Sequence, residues 1–380
     1  MGRVWLQVAG ESHGPGLTAI LYGLPSGIPW DIDVVNDWLA LRRGVSGRGP
    51  RAGTESEPPQ VLAGLRRGST NGGPLVLFLP NTDRTGQTRS PEGVPETIVR
   101  PRPGHADLAG ALKWGLKQAD GVAELASARL TAAGTAAGGV CRLLLAHLGV
   151  DILPHVVRIG EAAAKQRAFV GRADLKPLIE KVRTSRVLCL DARAERKMLE
   201  EIEAAGAEGD TVGGELEIVA GPLKAGLGAP QPLDARLDSR LGRVLLGIPG
   251  IRAVAIGDGL RAGRARGRRF HDPVGFEQGR GYVRPSNRAG GIEGGMTNGE
   301  PLVVKGVLKP LASLADPMES ASLRDGSPGP AGRVRSDVCA VPAAAVVAAA
   351  AVAAVLADAI LEETGGSTLK QVTRRFHEER

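Results

Sequence analysis

Aromatic residues and cysteines are both scarce in this 380-residue chain, and each shortage excludes a class of protein. Five Phe, four Trp and two Tyr are too few for the aromatic platforms on which single-stranded nucleic acids stack. The three cysteines, Cys141, Cys189 and Cys339, lie far apart and form no CxxC pair. This spacing excludes a disulfide scaffold and a cysteine-rich zinc site, and it favours a reducing compartment.

Long apolar segments are rare as well. Met1 to Gln7 lacks the apolar core of a signal peptide. The one long uncharged segment, Val338 to Ala357, is mostly alanine and contains Pro342. Because alanine gains little free energy on leaving water, this composition predicts a buried helix and not a membrane span. We therefore expect a soluble, cytoplasmic protein.

The composition is otherwise that of a folded protein. Hydrophobic residues make up 42% of the chain, which excludes disorder of the whole chain. Glycine, at 54 residues, is about twice as frequent as the usual share of roughly 7% and predicts many tight turns. No change in composition marks a linker, so we predict a single domain over residues 1–380.

Arginine carries most of the positive charge, with 38 Arg against 10 Lys and a net charge of +7. A GC-rich genome would explain the number of arginines but not their placement. Many lie in turn-prone, glycine-rich segments such as 42–51 and 100–104. A guanidinium group binds a carboxylate or phosphate at two points, so these loops are predicted to hold anionic ligands.

The apolar pattern predicts helices and strands in irregular alternation. Predicted helices run from Asp31 or Asp33 to about Arg43 and over 107–117, 124–148, 173–184, 192–206, 234–246 and 342–362. Predicted strands cover 4–8, 18–22, 75–79, 187–190, 215–220, 253–256 and 302–308, with a long loop over 261–300. No GxGxxG or GxxxxGK[ST] loop follows a strand, which excludes ordinary Rossmann and P-loop folds. The small-residue helices 124–148 and 342–362 suggest a pseudo-duplicated sandwich.

The segment Gly10-Glu-Ser-His-Gly14 matches the G-x-S-x-G pattern of serine hydrolases. That pattern needs a helix after the turn, whereas Leu17 to Tyr22 is predicted to be a strand, which argues against a nucleophilic Ser12. Two interpretations remain. Either the loop exposes Ser12 and His13 to a ligand, or both side chains only satisfy local backbone groups.

The segment Arg100-Pro-Arg-Pro-Gly-His-Ala-Asp107 places His105 at the start of a predicted helix, beside two arginines. A rigidly placed imidazole near the positive end of a helix is suited to proton transfer on an anionic ligand. The alternative is a histidine that only caps the helix.

Three further segments are candidates for ligand contacts. The glycine-rich loop 287–299 can present N–H groups to a phosphate or a flavin edge. Lys309-Pro-Leu-Ala-Ser313 adds a cation and a hydroxyl after a strand. Arg335-Ser-Asp337 either contributes to the site or forms a surface ion pair.

Taken together, these segments resemble the chorismate synthase family over nearly the whole chain. The resemblance rests on Gly10–Gly14, Arg42…Arg48…Arg51, Arg100–Asp107, Ser127-Ala-Arg129, Gly209-Asp-Thr-Val-Gly-Gly214, Asn287–Gly291 and Arg335–Asp337. The chain departs from the family pattern at Leu125 and Ala126, near which the family usually has an Arg-Ser pair, and at Ala349, where a glutamate is common.

The resemblance implies an α+β, single-domain sandwich in which two antiparallel sheets flank a helical layer, assembled as a homotetramer. It implies a lyase that eliminates phosphate from 5-enolpyruvylshikimate 3-phosphate in an anti-1,4 sense to give chorismate, the last shared step towards aromatic compounds. Reduced FMN is required without net redox change, and NADPH is a possible reductant of the flavin.

The resemblance also implies residue roles. His13 protonates the departing phosphate, His105 protonates the reduced flavin, Asp337 helps to take the ring proton, and Ser12 orients the relay. The implied flavin contacts are Leu125, Ala126, Ser127, Pro249, Gly250, Gly294, Lys309, Pro310, Leu311, Ala312, Ser313 and Arg335. The implied contacts to NADP or to substrate anions are Arg42, Arg48, Arg51 and Arg129, and no metal is implied.

The rival interpretation is a nucleic-acid-binding protein that uses its arginine-rich loops. It would explain the sequence pI of about 9.6 and the cluster of arginines from Arg261 to Arg269. It gives no role to the two histidine segments.

Overall fold

A computed structural model describes residues 4–49, 58–81, 97–171, 174–279, 281–333 and 337–378. The helices in these ranges are α1 (Ile32–Gly44), α2 (Asp107–Trp114), α3 (Asp120–Leu125), α4 (Thr131–His147), α5 (Lys176–Arg183), α6 (Ala192–Ala207), α7 (Leu237–Leu246), α8 (Gly259–Ala262), α9 (Gly267–Phe270), α10 (Val341–Thr364) and α11 (Leu369–His377). A 3₁₀ turn, Ala128–Leu130, leads into α4.

The strands in these ranges are β1 (Trp5–Gly10), β2 (Gly16–Tyr22), β3 (Gln60–Ala63), β4 (Leu65–Arg66), β5 (Ser69–Thr70), β6 (Leu75–Pro80), β7 (Asp151–Ile159), β8 (Ala162–Ala163), β9 (Gly214–Gly221), β10 (Ile251–Ile256), β11 (Gly275–Glu277), β12 (Gly281–Val283), β13 (Ile292–Glu293), β14 (Met296–Thr297), β15 (Leu302–Leu308), β16 (Glu319–Ala321) and β17 (Pro328–Pro330). Paired strands are antiparallel throughout.

Two larger sheets account for most of the strands. The first has the order β1-β2-β6-β3 and the second has the order β10-β15-β9-β7-β8. In β2 and β6 every second residue is buried, and this apolar face lies against α4. In the second sheet, β7 and β9 lie against α10. The predicted combination of antiparallel sheets and helices is confirmed.

Helices α4 and α10 pack closely because small residues line their contact. A Cβ atom on Gly138 would lie 2.4 Å from the Cβ of Ala350, so only glycine allows this approach. Helix α10 is long and apolar enough to cross a membrane, but 83% of its most apolar window is buried inside the protein. The predicted buried helix is therefore confirmed, and Ala349, which is fully buried, occupies its interior.

Four predicted elements need correction. Residues 187–190 were expected to form a strand but form an irregular buried turn, in which Leu188 has a φ of 60°. Its carbonyl accepts a hydrogen bond from the Val156 backbone N–H, so the apolar run is buried without strand geometry. The predicted helix 124–148 is interrupted between α3 and α4, because Ser127 has extended backbone angles and caps the 3₁₀ turn. Residues 261–300, predicted to be a long loop, contain the end of α8, the whole of α9 and two small hairpins. The helix predicted over 173–184 is shorter, and within the described residues it is α5.

Strand β7 and helix α11 were not predicted. In β7, residues 152–156 are buried without alternation, and Pro154 interrupts the pattern expected of a strand. Strand β8 pairs with β7 only at Arg158 and Ile159. No ladder hydrogen bond to β8 therefore needs a backbone N–H at position 154, so proline fits there.

Candidate active site

The loop from Gly10 to Gly16 joins β1 to β2 and is held by Asn81, which follows β6. The Asn81 side-chain nitrogen lies 3.3, 3.2 and 2.8 Å from the carbonyl oxygens of Glu11, Ser12 and Gly14. The Asn81 backbone N–H donates to the Pro15 carbonyl at 3.0 Å. This buried amide fixes the loop by non-local contacts, which no local sequence pattern indicates.

His13 is held by Glu124, a residue of α3 that the sequence analysis did not identify. The His13 backbone N–H donates to Glu124 Oε2 at 2.8 Å, and His13 Nδ1 lies 2.5 Å from Glu124 Oε1. The exposed fractions of the two side chains are 17% and 21%, so the imidazole remains accessible while one of its edges is bound. The only signal in the sequence was a carboxylate three residues before Ser127.

A chain of polar contacts continues from Ser12 to Arg129. Ser127 Oγ donates to Ser12 Oγ at 3.0 Å and accepts from the Arg129 backbone N–H at 3.2 Å. Arg129 Nε donates to Asn81 Oδ1 at 3.0 Å. Ser12 is 2% exposed and precedes a strand, so the structural requirements of a hydrolase nucleophile are not met.

Arg42 completes this first group of residues. Its Nη2 donates to the Ala128 carbonyl at 3.1 Å and lies 3.0 Å from Thr131 Oγ1, and the side chain is buried. We call this group the His13 cluster; its members are Ser12, His13, Arg42, Asn81, Glu124, Ser127 and Arg129. Leu125 and Ala126 lie within the same turn, and Leu125 is 52% exposed.

His105 lies in a second group, built around the fully buried carboxylate of Asp107. His105 Nδ1 lies 2.5 Å from Asp107 Oδ1, and Arg102 Nε donates to Asp107 Oδ2 at 2.8 Å. Burial alone would raise the pKa of Asp107, but the hydrogen bonds from His105 and Arg102 and the guanidinium charge hold it well below its ordinary value. Arg102 Nη1 also donates to Ser313 Oγ at 2.7 Å.

Lys309 belongs to the same group, the His105 cluster, whose members are Arg102, His105, Asp107, Lys309 and Ser313. Lys309 Nζ donates to the Gly104 carbonyl at 2.5 Å. Desolvation, together with the charge of Arg252, lowers the pKa of Lys309. An ammonium group in such surroundings is suited to an anionic ligand.

Two glycine-containing segments support the residues 309–313. The Lys309 backbone N–H donates to the Gly250 carbonyl at 3.0 Å. Gly250, which follows Pro249, has a φ of 90°, and a Cβ there would lie 2.9 Å from Leu308 Cδ1. Thr211 Oγ1 donates to the Leu311 carbonyl at 2.8 Å, which connects the 209–214 motif to this segment.

Asp337 pairs with Arg48, which lies 289 residues earlier in the chain. Arg48 Nη1 donates to Asp337 Oδ2, and the Gly49 backbone N–H donates to Oδ1 at 2.6 Å. Gly47 has a φ of 86° and its carbonyl accepts from the Val338 backbone N–H at 2.9 Å, so the two segments are fixed side by side. Arg51 and Arg335 lie outside the described residues.

Connections through neighbouring elements join these three groups. The Val212 backbone N–H donates to the Val338 carbonyl at 3.0 Å, which links the Arg48–Asp337 pair to the His105 cluster through the 209–214 motif. Helix α2, which begins at Asp107, packs on α3, which carries Glu124. Gly294 lies apart from these contacts, in the turn between β13 and β14, where the next residue, Gly295, approaches Arg236 and Ala229.

These contacts indicate a class of protein. Two imidazoles held on carboxylates, beside partly buried guanidinium and ammonium groups, are suited to an enzyme that transfers protons on anionic ligands.

Comparison with known proteins identifies the family. The sequence model described as chorismate synthase matches residues 4–361. A chorismate synthase of Moorella thermoacetica is 45% identical over 373 residues, which cover 97% of this chain and 96% of that protein. One of Symbiobacterium thermophilum is 43% identical over 379 residues, covering 97% and 96% of the two chains. A structure titled "Crystal Structure of Chorismate Synthase" superimposes with a TM-score of 0.79 at 33% identity, covering 98% of this chain and 96% of that one.

The chain therefore belongs to the chorismate synthase family. Its function is that of a carbon–oxygen lyase that forms chorismate on the route to aromatic compounds. The comparisons give no support to the nucleic-acid-binding alternative.

Proposed function

We propose that the three residue groups form one active site, which binds 5-enolpyruvylshikimate 3-phosphate together with reduced FMN and releases phosphate in an anti-1,4 elimination. The observation that carries this proposal is the pair of carboxylate-held imidazoles, His13 and His105, each set among cationic side chains. The substrate has a phosphate and two carboxylates and the flavin adds a phosphate, so the site must bind several negative charges.

The residues of the site fit an anionic flavin. Arg48 Nε is buried with no hydrogen-bond partner among the described residues, so this donor is available to an anionic ligand of the site. A Cβ on Gly294 would meet no atom within 4 Å, which leaves open space beside that backbone. The chemistry that FMN supplies when bound and reduced is transient electron density, which eases loss of phosphate and of an unactivated ring proton.

We assign the binding roles as follows. The groups proposed to hold FMN are Leu125, Ala126, Ser127, Pro249, Gly250, Gly294, Lys309, Pro310, Leu311, Ala312, Ser313 and Arg335. The groups proposed to hold substrate anions or NADP are Arg42, Arg48, Arg51 and Arg129. The exposed Leu125 offers no charge to the flavin phosphate, so the cation among the described flavin-binding groups is Lys309.

We assign the proton transfers to three side chains. His13 gives a proton to the departing phosphate, and Ser12, hydrogen-bonded to Ser127, orients this transfer. His105 holds a proton at the flavin-binding side of the site. Asp337, together with the flavin, helps to take the ring proton, and Arg48 connects this carboxylate to the anion-binding groups.

We further propose that the chain is one sandwich domain over 1–380 that works as a cytoplasmic homotetramer. Support for the sandwich comes from the contacts of α4 with the first sheet, of α10 with the second, and of α4 with α10. One continuous core includes residues from Leu17 to Phe376. Support for assembly comes from the exposed apolar side chains of Leu108, Leu112 and Trp114 on α2.

An anaerobic assay with reduced FMN and 5-enolpyruvylshikimate 3-phosphate tests the proposed chemistry, with chorismate absorbance as the readout. We expect His13→Ala and His105→Ala each to lower turnover by roughly 10²–10⁴-fold while FMN still binds, because each removes a proton-transfer group. Wild-type turnover in either variant would remove that histidine from the mechanism. Repeating the assay with NADPH and oxidised FMN shows whether the enzyme reduces its own flavin.

A further inference from the structure

We infer that Glu124 is a positioning residue for His13: it holds a proton on Nδ1 in both the protonated and the neutral ring. The protonated ring then gives its Nε2 proton to the substrate and is left as the neutral tautomer with its proton on Nδ1. This inference rests on the role proposed above for His13. It concerns a residue that the family resemblance did not single out.

The two contacts between Glu124 and His13 indicate which ring nitrogen of His13 carries the proton. The His13 backbone N–H can only donate, and it occupies Glu124 Oε2 at 2.8 Å. The other oxygen, Oε1, lies 2.5 Å from Nδ1. A carboxylate oxygen and an unprotonated ring nitrogen would repel each other at this distance, so the proton lies between them on Nδ1.

Glu124 can hold this geometry because α3 is fixed at several points. Val122 is buried against α2, where a Cβ on Gly110 would lie 2.5 Å from Val122 Cγ1. Asp120 Oδ1 accepts from the Ile98 backbone N–H at 3.0 Å. The short helix therefore presents its carboxylate from a rigid support.

The second imidazole also meets a carboxylate at Nδ1, but a guanidinium shares that nitrogen. His105 Nδ1 lies 2.5 Å from Asp107 Oδ1 and 3.0 Å from Arg102 Nη2, so its tautomer is less clearly determined by geometry than that of His13. Asp107 differs because Arg102 also binds it, through Nε at 2.8 Å and Nη2 at 3.0 Å. Since Asp107 is fully buried, its variants risk misfolding, which makes Glu124 the better residue for a test.

The first measurement needs no variant. Nitrogen-15 NMR of histidine-labelled enzyme distinguishes the two neutral tautomers, and His13→Asn identifies the His13 signals among those of six histidines. We expect neutral His13 to carry its proton on Nδ1. A neutral ring with its proton on Nε2 would overturn the inference.

The second measurement uses Glu124→Gln. The amide oxygen must remain on the His13 backbone N–H, so the amide nitrogen faces Nδ1 and moves the ring proton to Nε2. We expect this NMR change together with a kcat lowered by roughly 10²–10⁴-fold, the range for general acid–base catalysis, whose upper end is the loss known when a carboxylate that orients a catalytic histidine becomes an amide. The KM for substrate and the affinity for FMN should change less than about threefold, since the loop keeps its backbone contact. Glu124→Asp keeps the acceptor and should recover part of the lost kcat.

A matched control is Glu11→Gln, which removes the same charge from an exposed side chain two residues before His13. It should keep the wild-type tautomer and kcat. Wild-type kcat in Glu124→Gln, or an equal loss in Glu11→Gln, would overturn the inference. If the NMR change occurs but His13→Ala is fully active, the proposed role of His13 fails while the tautomer assignment stands.

Discussion

Asn81→Asp should disrupt the candidate site although it changes only one amide into a carboxylate of the same shape. The Asn81 nitrogen lies 2.8–3.3 Å from three loop carbonyls, and its oxygen accepts from Arg129 Nε at 3.0 Å. In the variant the oxygen keeps its contact with Arg129. The nitrogen, however, is replaced by a second oxygen that faces the same carbonyls without a proton to donate.

The expected loss of stability in Asn81→Asp follows from the hydrogen bonds that the variant cannot make. Asn81 is 4% exposed, so water does not readily replace the lost donor. Leaving buried acceptors without their partner costs about 1–3 kcal/mol per group, and the stronger bond to Arg129 returns about 1 kcal/mol. The amide has two protons to donate, so two hydrogen bonds are lost, and we expect a net loss of about 1–5 kcal/mol in the free energy of unfolding.

Chemical denaturation and the anaerobic chorismate assay measure the two expected effects. Because the loop carries Ser12 and His13, we expect kcat to fall at least about tenfold even under conditions where the variant is fully folded. Asn81→Ala serves as the comparison, since it removes both the donor and the acceptor without adding a charge. Wild-type stability and turnover in Asn81→Asp would show that the amide does not hold the loop.

Two further predictions concern packing and pH. Gly138→Ala should lower the free energy of unfolding by about 1–3 kcal/mol or more, because its Cβ would lie 2.4 Å from that of Ala350. Gly134→Ala on the same helix is the control: its Cβ meets no atom within 4 Å, so it should raise the free energy of unfolding by about 0.5–1 kcal/mol. Equal effects of the two variants in denaturation would contradict the described helix contact. Burial lowers the pKa of His155 to about 4, so the unfolded chain takes up a proton that the folded chain refuses as pH falls from about 6.5 to about 4. At about 1.4 kcal/mol per pKa unit, the wild type should lose about 3 kcal/mol of its free energy of unfolding between pH 7 and pH 4 through this group, and His155→Gln should not show that loss. Parallel profiles of unfolding free energy against pH for the two proteins would refute this.

The sequence predicted elements whose signals are local. Strand β2 shows strict alternation, and α1 begins after Asp31, whose side chain accepts from the backbone N–H groups of Asp33 and Val34 as expected of a cap. Strand β7 escaped prediction because burial of successive residues removes alternation and Pro154 argues against a strand. Residues 187–190 show the opposite case: their apolar run is typical of a strand, but they are buried in an irregular turn.

The site was predictable only residue by residue. His13, His105, Arg48 and Asp337 stand in recognisable motifs, but the partners that hold them do not. Glu124 lies 111 residues from His13, and Arg48 lies 289 residues from Asp337, so no local pattern reports either contact. Asp107 lies at the end of the Arg100–Asp107 motif, but its burial and its ion pair with Arg102 depend on the fold and cannot be read from the sequence.

We propose that His13 and His105 face one cavity that holds both flavin and substrate. A crystal structure of the enzyme with oxidised FMN and 5-enolpyruvylshikimate 3-phosphate tests it most directly. We predict that Nε2 of His13 lies within hydrogen-bond distance of the substrate phosphate and that Nε2 of His105 faces the flavin. Bound ligands with either ring turned to a separate solvent-facing surface would contradict the claim.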